Sequence, residues 1–478
     1  MRCKIAGHTP PRFMEERHAM RIHASQPLFA WECLEDNPSL KTIRDFLASI
    51  PDGALLEGLR LWRGKGRNDY PVSVLWGTLL LTIGLRHTMI EQCLAELRRN
   101  EGLRRLIGIE SEDAVPKKWN MSRFLAALGQ EPHLSAVRAI FDQMIRRLGD
   151  LVPDLGRHTA GDSTGLSARR SEAVKREIAS RGEDAVLDEH GLPLPSGGRK
   201  EYRDDAGKVT KILEWFGYKG HLLVDVKHEV ILAWHVTSTK VTDGDMIEPL
   251  IEQAENNLPD DRIETLAYDK AADDTAIHEL LKDKDIKPVI QIRSCWQNQT
   301  EKLVPGQERR GNIVHDEAGT VFCHDTESQP PVRHKMAYTG HEPDRGTLKY
   351  RCPAKHEGWS CPMSSICNAE KTYGLTVRVK QETDLRRFPP IPRATKKFEQ
   401  LYNGRTAVER VNSRLKVFWG TDDGNITGAA RFHAYFGAVM IVHAAFATLL
   451  AAAPRHGGVL GQTKLSTISR ALQEKLAG

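Results

Sequence analysis

Three acidic residues far apart in the chain, Asp162, Asp269 and Glu409, stand among neighbours that suit phosphate chemistry. Glu409 lies in Leu401–Gly420, LYNGRTAVERVNSRLKVFWG. On a helix of about 100° per residue, Tyr402, Arg405, Glu409 and Lys416 fall within roughly 60° of one another. Ala407, Val408, Val411, Leu415 and Phe418 collect on the opposite side. One face can pack into a core while the other presents an acid flanked by two cations and a phenol. A surface helix laced by ion pairs at three- and four-residue spacing has the same pattern. A carboxylate in such a stripe has a further use, because its oxygens suit a hard divalent ion such as magnesium. Arg405 and Lys416 beside it could hold the phosphates that the ion would act on.

One glutamate is a weak metal site and needs partners. Asp162 sits in His158-Thr159-Ala160-Gly161-Asp162-Ser163-Thr164, on or just after a short β-compatible run with small neighbours. Asp269 follows the predicted strand Ile263–Tyr268 at its carboxyl end, the edge where sites form in open α/β sheets. An aspartate after a strand is commonly a turn or helix cap. Asp273 or Asp274 suits that capping role, which leaves Asp269 for chemistry.

With these residues in view, the chain resembles a known family. The spacing Tyr402-x2-Arg405-x3-Glu409-x6-Lys416 matches the Y-R-E-K motif of bacterial insertion-sequence DDE transposases. The likeness extends to AGDST around Asp162, FGYKGH at Phe216–His221 and LAYDK around Asp269. It also covers RNDYP at Arg67–Pro71 and VPKKWNMSRF at Val115–Phe124. That family's second aspartate is followed closely by Gly-Tyr, where this chain has Ala271-Ala272, so Asp273 and Asp274 stay open as alternatives. The resemblance implies an α/β ribonuclease-H-like catalytic core in which Asp162, Asp269 and Glu409 bind two Mg2+ or Mn2+ ions. One ion would activate water or a DNA 3′-hydroxyl and the other would stabilise the leaving oxygen. Three converging acids repel, so the site should be poorly formed without metal. Arg405 and Lys416 would hold phosphates at the element end, and Tyr402 would contact a base or a phosphate. Lys219 and His221 are accessory candidates better read as strand-surface residues. The partners implied are double-stranded DNA (terminal inverted repeats and target) and a second copy of the chain, since joining two ends calls for two active sites.

The elements that must position these groups follow from periodicity. The chain's 478 residues, 40% hydrophobic and 27% charged, suit a soluble protein of two or three domains. Apolar residues at three- and four-residue spacing predict helices over Ile43–Ile50, Val72–Leu85, Met89–Leu97, Phe124–Leu128 (capped by Asn120 or Ser122) and Leu134–Leu148. This is an all-helical N-terminal domain (1–150), the first candidate for reading DNA ends. Strands are expected at Thr159–Leu166, Ile212–Tyr218, Leu222–Val226, Val230–Thr237, Ile263–Tyr268 and Lys287–Ile292. Helices at Met246–Asn257 and Thr275–Lys284 complete the first part of an α/β domain (151–293). Ser167–Lys211, polar and holding Gly197-Gly198, reads as a loop or a partly ordered insert. A loop-rich, Cys-rich insertion (294–392) follows, then the second part of the catalytic domain (393–455), with one strong helix over Ala394–Trp419, and a tail (456–478).

Cys323, Cys352, Cys361 and Cys367 all lie within that insertion. In a reducing cytoplasm a structural Zn2+ is the expected staple rather than disulfides, with His324 or His356 able to replace one ligand. Unligated thiols are the alternative, because the spacing is irregular and holds no C-x2-C pair. Cys3, Cys33 and Cys93 are isolated. The formal charge of +5 decides nothing by itself. Local basic runs over Arg157–Lys219 and Arg386–Lys416 adjoin the candidate acids. Aromatics are 6%, too few for a protein that reads single strands mainly by stacking. The apolar stretch Ala434–Ala453 reads as a buried helix rather than a membrane span, and a cytoplasmic location is expected. Two other functions share these features: a DNA-binding relative without catalysis, and a metal-dependent nuclease that hydrolyses without strand transfer.

Overall fold

The computed structural model describes residues 38–451 apart from 66–69, most of 170–185, 205–207, 260, 298–299 and 370. Cys3, Cys33, most of the RNDYP motif, Arg170, Lys175 and the tail 456–478 lie outside the described residues. Helices α1 (Pro38–Ala48), α2 (Gly53–Arg63), α3 (Val72–Gly84), α4 (Ile90–Arg99), α5 (Glu101–Leu106), α6 (Lys118–Leu128) and α7 (His133–Leu151) come first. α3 is buried from Val74 to Gly84, and its Trp76 indole N–H donates to Asp52 at 2.7 Å. α6 begins earlier than expected. Lys117 is its N-cap, and Asn120 reaches back to accept the Lys117 N–H at 3.0 Å. Asn120 and Ser122 therefore lie inside this helix, not ahead of it. Sequence periodicity missed α2, which starts at Gly53 and carries Gly58 mid-run, and the short α5, which Asn100 caps by accepting the Leu103 N–H.

The main sheet holds β1 (His158–Ser167), β2 (Ser196–Arg203), β3 (Val209–Asp225), β4 (Ile231–Ser238), β5 (Thr265–Tyr268) and β6 (Lys287–Ile290). Its order is β2-β3-β1-β5-β6, with β4 also on β3. β1, β3 and β4 pair antiparallel, whereas β5 runs parallel to both β1 and β6. Helix α8 (Ile247–Asn257) connects β4 to β5, and α9 (Thr275–Asp283) makes the crossover from β5 to β6.

Two expectations change here. The runs Ile212–Tyr218 and Leu222–Val226 form one 17-residue strand, because β3 has ladder partners along its whole length: β2 beside its first half, β1 and β4 beside its second. The polar Ser167–Lys211 stretch, expected as a loop or a partly ordered insert, holds the regular strand β2. β2 has no apolar alternation to reveal it, and is made by backbone pairing to β3. Gly198 lets Trp215 lie across it, as a Cβ there would stand 2.3 Å from the indole.

The 294–392 segment contains two small antiparallel sheets where a loop-rich insertion was expected. One has the order β10-β9-β8-β7, from β7 (Lys302–Leu303), β8 (Ile313–His315), β9 (Val321–Asp325) and β10 (Val332–Lys335). The other joins β11 (Ala337–Glu342), β12 (Thr347–Arg351) and β13 (Thr376–Lys380). Short helices α10 (Pro353–Glu357) and α11 (Ser364–Cys367) separate β12 from β13. This segment has its own small core, including Val321, Leu348, Tyr350, Val377, Val379 and Phe388.

The chain closes with α12 (Lys396–Asn403), α13 (Thr406–Trp419) and α14 (Ala429–Ala451). The single helix expected over Ala394–Trp419 is broken at Gly404, which rides so close to the sheet that a Cβ would stand 2.6 Å from Val226. α13 ends at Gly420 in the left-handed conformation. α14 is long and apolar enough to cross a membrane, but 83% of its apolar window is buried inside the protein. It packs against α7, α6, α3, α1 and β4. The N-terminal helices, the main sheet and the closing helices share one continuous core.

Candidate active site

Asp162 and Asp269 meet through strand register. β1 and β5 run parallel, with Ala160 opposite Ala267 as their last pair. Both aspartates lie two residues further on. They therefore hold the same rank on neighbouring strands, roughly 5 Å apart in backbone, at the carboxyl end of β5. Asp269 keeps extended backbone (φ −71°, ψ 171°), so the period-two alternation carries its side chain to the same face as that of Asp162. The intervening Gly161 faces the other way. A Cβ there would stand 2.1 Å from the Tyr268 ring, so only glycine lets the two strands close at this point.

Helix α13 packs against β1 and β3 on the Asp162 face. Ala407, Val408, Val411, Leu415 and Trp419 bury its inner side. Asn412 turns its amide toward Asp162, Nδ2 to Oδ2 being 3.5 Å. Glu409 is one helical turn from Asn412 on the same stripe. Its carboxylate receives Arg405 at 2.7 Å and is about half exposed. Burial pushes the Asp162 carboxyl up to about 6, and the nearby Asp269 adds to this. The Ser163 N–H, Lys200 and Arg405 only partly offset it. Burial works against the Arg405 charge, but Glu409, Tyr402 and Asp162 together hold its guanidinium above the ordinary value. These mutual effects bring Asp162, Asp269, Arg405 and Glu409 into one electrostatic cluster. Among the described residues no three His, Cys, Asp or Glu side chains are arranged to hold an ion, and Glu409 is turned to Arg405 instead.

The model of the family described as transposase DDE domain matches residues 155–444. The chain belongs to this family and is a DDE-type transposase. The matched span runs from just before β1 into α14, so it includes all three acids and the 294–392 segment. Among solved structures the transposase is similar to a piggyBac transposase synaptic complex with hairpin DNA, determined by cryo-EM. The identity is 11%, the alignment covers 94% of this chain and 83% of that one, and the TM-score is 0.36. No curated protein matches the chain.

The other residues singled out from the transposase sequence sort by their contacts. Tyr402 belongs to α12 rather than to the helix of Glu409. It stacks on Phe398 with 5.8 Å between ring centroids, and the Arg405 guanidinium lies 5.9 Å from its ring. Lys416 is two turns along α13 from Glu409, paired at 3.2 Å with Asp422, which in turn accepts the Ser167 N–H at 2.7 Å. Both stripe cations are thus tied to carboxylates. Asp273, the alternative second aspartate, is fully buried. It pairs with Arg386 at 2.6 Å, Arg393 at 3.5 Å and His278 at 3.2 Å. Burial opposes its charge, but those partners and the Arg293 N–H hold its carboxyl well below the usual range. It is a tie between α9 and the segment ahead of α12. Asp274 caps α9 through the Ala276 N–H. Asp269 is itself a cap, accepting the Ala271 N–H at 2.9 Å, which leaves its second oxygen for other work.

Lys219 and His221 lie on the sheet face away from Asp162. Asp162 pairs with Leu222 and Gly165 with Lys219, so the alternation turns Lys219 and His221 to the opposite side. There Lys219 holds Asp243 at 3.1 Å. His221 is fully buried, bonds Thr237 at 2.8 Å, and is pushed down to about 4 chiefly by burial, so it stays neutral. Sequence reading missed Asn412, although its spacing from Glu409 (i+3) and Lys416 (i−4) puts it on the same stripe. It also missed the buried Arg414, which pairs with Glu229, a residue held on its other side by Arg410 at 2.6 Å. This pair locks α13 to the β3–β4 turn.

The four insertion cysteines come from separate stretches yet line one small cavity, together with His324, His334, Met363, Asn312 and Asn368. His324 is paired with Glu301 at 2.7 Å. His356, the other histidine offered as a substitute ligand, does not line the cavity. Cys93 is buried in the main core, as expected for an isolated cysteine.

Proposed function

We propose that this transposase cleaves and rejoins the ends of a mobile DNA element of the insertion-sequence type, with Asp162, Asp269 and Glu409 as the ligands of two divalent ions. The observation that carries the reading is the equal rank of Asp162 and Asp269 on adjacent parallel strands, with the Glu409 helix laid across the same face. The strand path β4-β3-β1-β5-β6, antiparallel on one side of β1 and parallel on the other, supports a ribonuclease-H-like core.

The donor set fits a hard ion. It offers carboxylate oxygens only, and one of them, Asp162, is held toward its neutral form by burial beside another acid. Mg2+ or Mn2+ there would supply Lewis acidity to the attacking and leaving oxygens of an in-line displacement. Glu409 would leave Arg405 to join the two aspartates. Arg405, released, would be free to take a DNA phosphate. Lys416 would likewise exchange Asp422 for a phosphate two helical turns away. Tyr402 would lie against the DNA beside Arg405. A dimer on DNA follows from the need to join two ends.

The test is a cleavage and joining assay with purified protein, Mg2+ and DNA carrying the inverted repeats that flank the reading frame. Wild-type protein should give joined products, and Glu409→Gln should lose more than about a hundredfold in rate. That figure is a floor, because even outer-shell partners of a metal cost roughly 10–100-fold. Retained activity in Glu409→Gln sinks the assignment. Cleavage with no joined strands in the wild type would leave a nuclease instead.

A further inference from the structure

We propose that Cys323, Cys352, Cys361 and Cys367 form a four-thiolate zinc site that staples the two small sheets of the 294–392 segment together. Cys323 lies on β9 of the four-stranded sheet. Cys352 directly follows β12 of the three-stranded sheet, and Cys361 and Cys367 come after it around α11. Though up to 44 positions apart, all four line the same cavity. None of them is in a disulfide. Burial, then the other three sulfurs, raise the Cys323 thiol; burial, then Asp325 and the sulfurs of Cys352 and Cys367, raise Cys361 against the Met363 N–H. The sulfurs are therefore close enough to feel one another.

Two asparagines already serve this cluster. Asn368 donates its amide to the Cys352 sulfur at 3.5 Å while its oxygen accepts the Leu375 N–H at 2.6 Å. Asn312 donates to the Cys367 sulfur at 3.8 Å and to the His324 carbonyl at 3.2 Å. Fixed N–H donors aimed at sulfur suit thiolate ligands, because each bond offsets part of the charge that a buried thiolate carries. Sulfur-only donors select zinc or iron–sulfur centres over magnesium or calcium. Among the described residues the four line the cavity without being arranged as a formed metal site. An ion would draw them in and displace four protons.

The fold supplies the motive. Sheets of two to six residues per strand share only a small core, and such modules usually need a staple. An ion bound across this cavity would join β9 to the β12–β13 unit. None of the three proposed catalytic acids takes part, so this site and the strand chemistry stand or fall separately.

The experiment is metal analysis of the full chain after gel filtration, with cobalt substitution as the spectroscopic readout. Wild type and Cys295→Ser, whose exposed cysteine lies outside the cavity, should each carry one zinc per chain. Cobalt should give thiolate-to-metal charge-transfer absorption. Cys361→Ser, at a half-buried position chosen to spare the fold, should weaken zinc binding at least about tenfold and reduce that absorption. For wild type, a thiol-competing chelator should raise hydrogen exchange across β8–β13 while leaving β1–β6 unchanged. Zinc-free wild-type protein, iron in place of zinc, full zinc retention in Cys361→Ser, or unaltered exchange after chelation would each overturn the proposal.

Discussion

Asp162→Asn should stabilise the metal-free protein at neutral pH while abolishing its chemistry. The Asp162 carboxyl rises from an ordinary 3.8 to about 6 on folding, through burial and then the neighbouring Asp269. A carboxyl with a raised value binds its proton more tightly when folded. Its favourable contribution is complete below about pH 4 and is lost as pH rises through about 6. About two pH units at 1.36 kcal/mol each makes the ionised form costly by roughly 3 kcal/mol at pH 7. Asparagine is neutral at every pH and close in shape, so it removes that cost. Urea unfolding in a metal chelator should place the variant above wild type by up to ~3 kcal/mol at pH 7, and the gap should close toward pH 4. Added Mg2+ should then stabilise wild type but not the variant, because an ion that binds only the folded state adds stability by mass action. A variant that is less stable at pH 7, or a gap that does not change with pH, would refute the reasoning about Asp162.

The two aspartates around α9 should separate cleanly. Asp269→Asn should lose activity with little change in stability, whereas Asp273→Asn should lose stability, since it strands the buried Arg386 and Arg393. Breaking such a pair costs about 3–5 kcal/mol, and a urea midpoint beside a cleavage rate distinguishes them. Because the Asp273 carboxyl is held below its usual range, its stabilisation is present above about pH 4 and is lost as pH falls further. Glu229→Ala should cost about 3 kcal/mol or more by leaving the Arg414 charge buried without its partner, seen as a lower urea midpoint. Arg405→Ala and Lys416→Ala should each reduce the slope of log affinity against log salt for element-end DNA by about one. An unchanged slope would remove that residue from the DNA interface.

What the sequence disclosed was mostly local. The three- and four-residue apolar spacing of α3, α4 and α7 and the long apolar run of α14 are written in consecutive residues, as is the strand–helix–strand pattern of β5, α9 and β6. The amphipathic character of α13 was legible too, because Ala407, Val408, Val411 and Leu415 share one side. Elements stabilised from outside were less visible. β2 is polar throughout and exists because β3 offers it a backbone ladder. β3 reads as two strands until its partners on both edges are known.

The site divides along the same line. Sequence alone could nominate Asp162, Asp269 and Glu409 by residue type, by position after a strand or on a helix stripe, and by family resemblance. It could not separate Asp269 from Asp273, because both follow the same strand and both suit a cap. Tertiary structure gives them different surroundings. Parallel register brings Asp269 level with Asp162, while Asp273 turns inward to meet two arginines more than 110 residues away. It also decided that Tyr402 and Glu409 sit on different helices, since Gly404 must press against Val226. The four cysteines likewise share a cavity only because two sheets fold against each other. Helical and strand periods arise from backbone geometry within a few residues, so they can be read directly. Register, burial and ion pairing depend on groups distant in the chain, and only the folded protein brings those together.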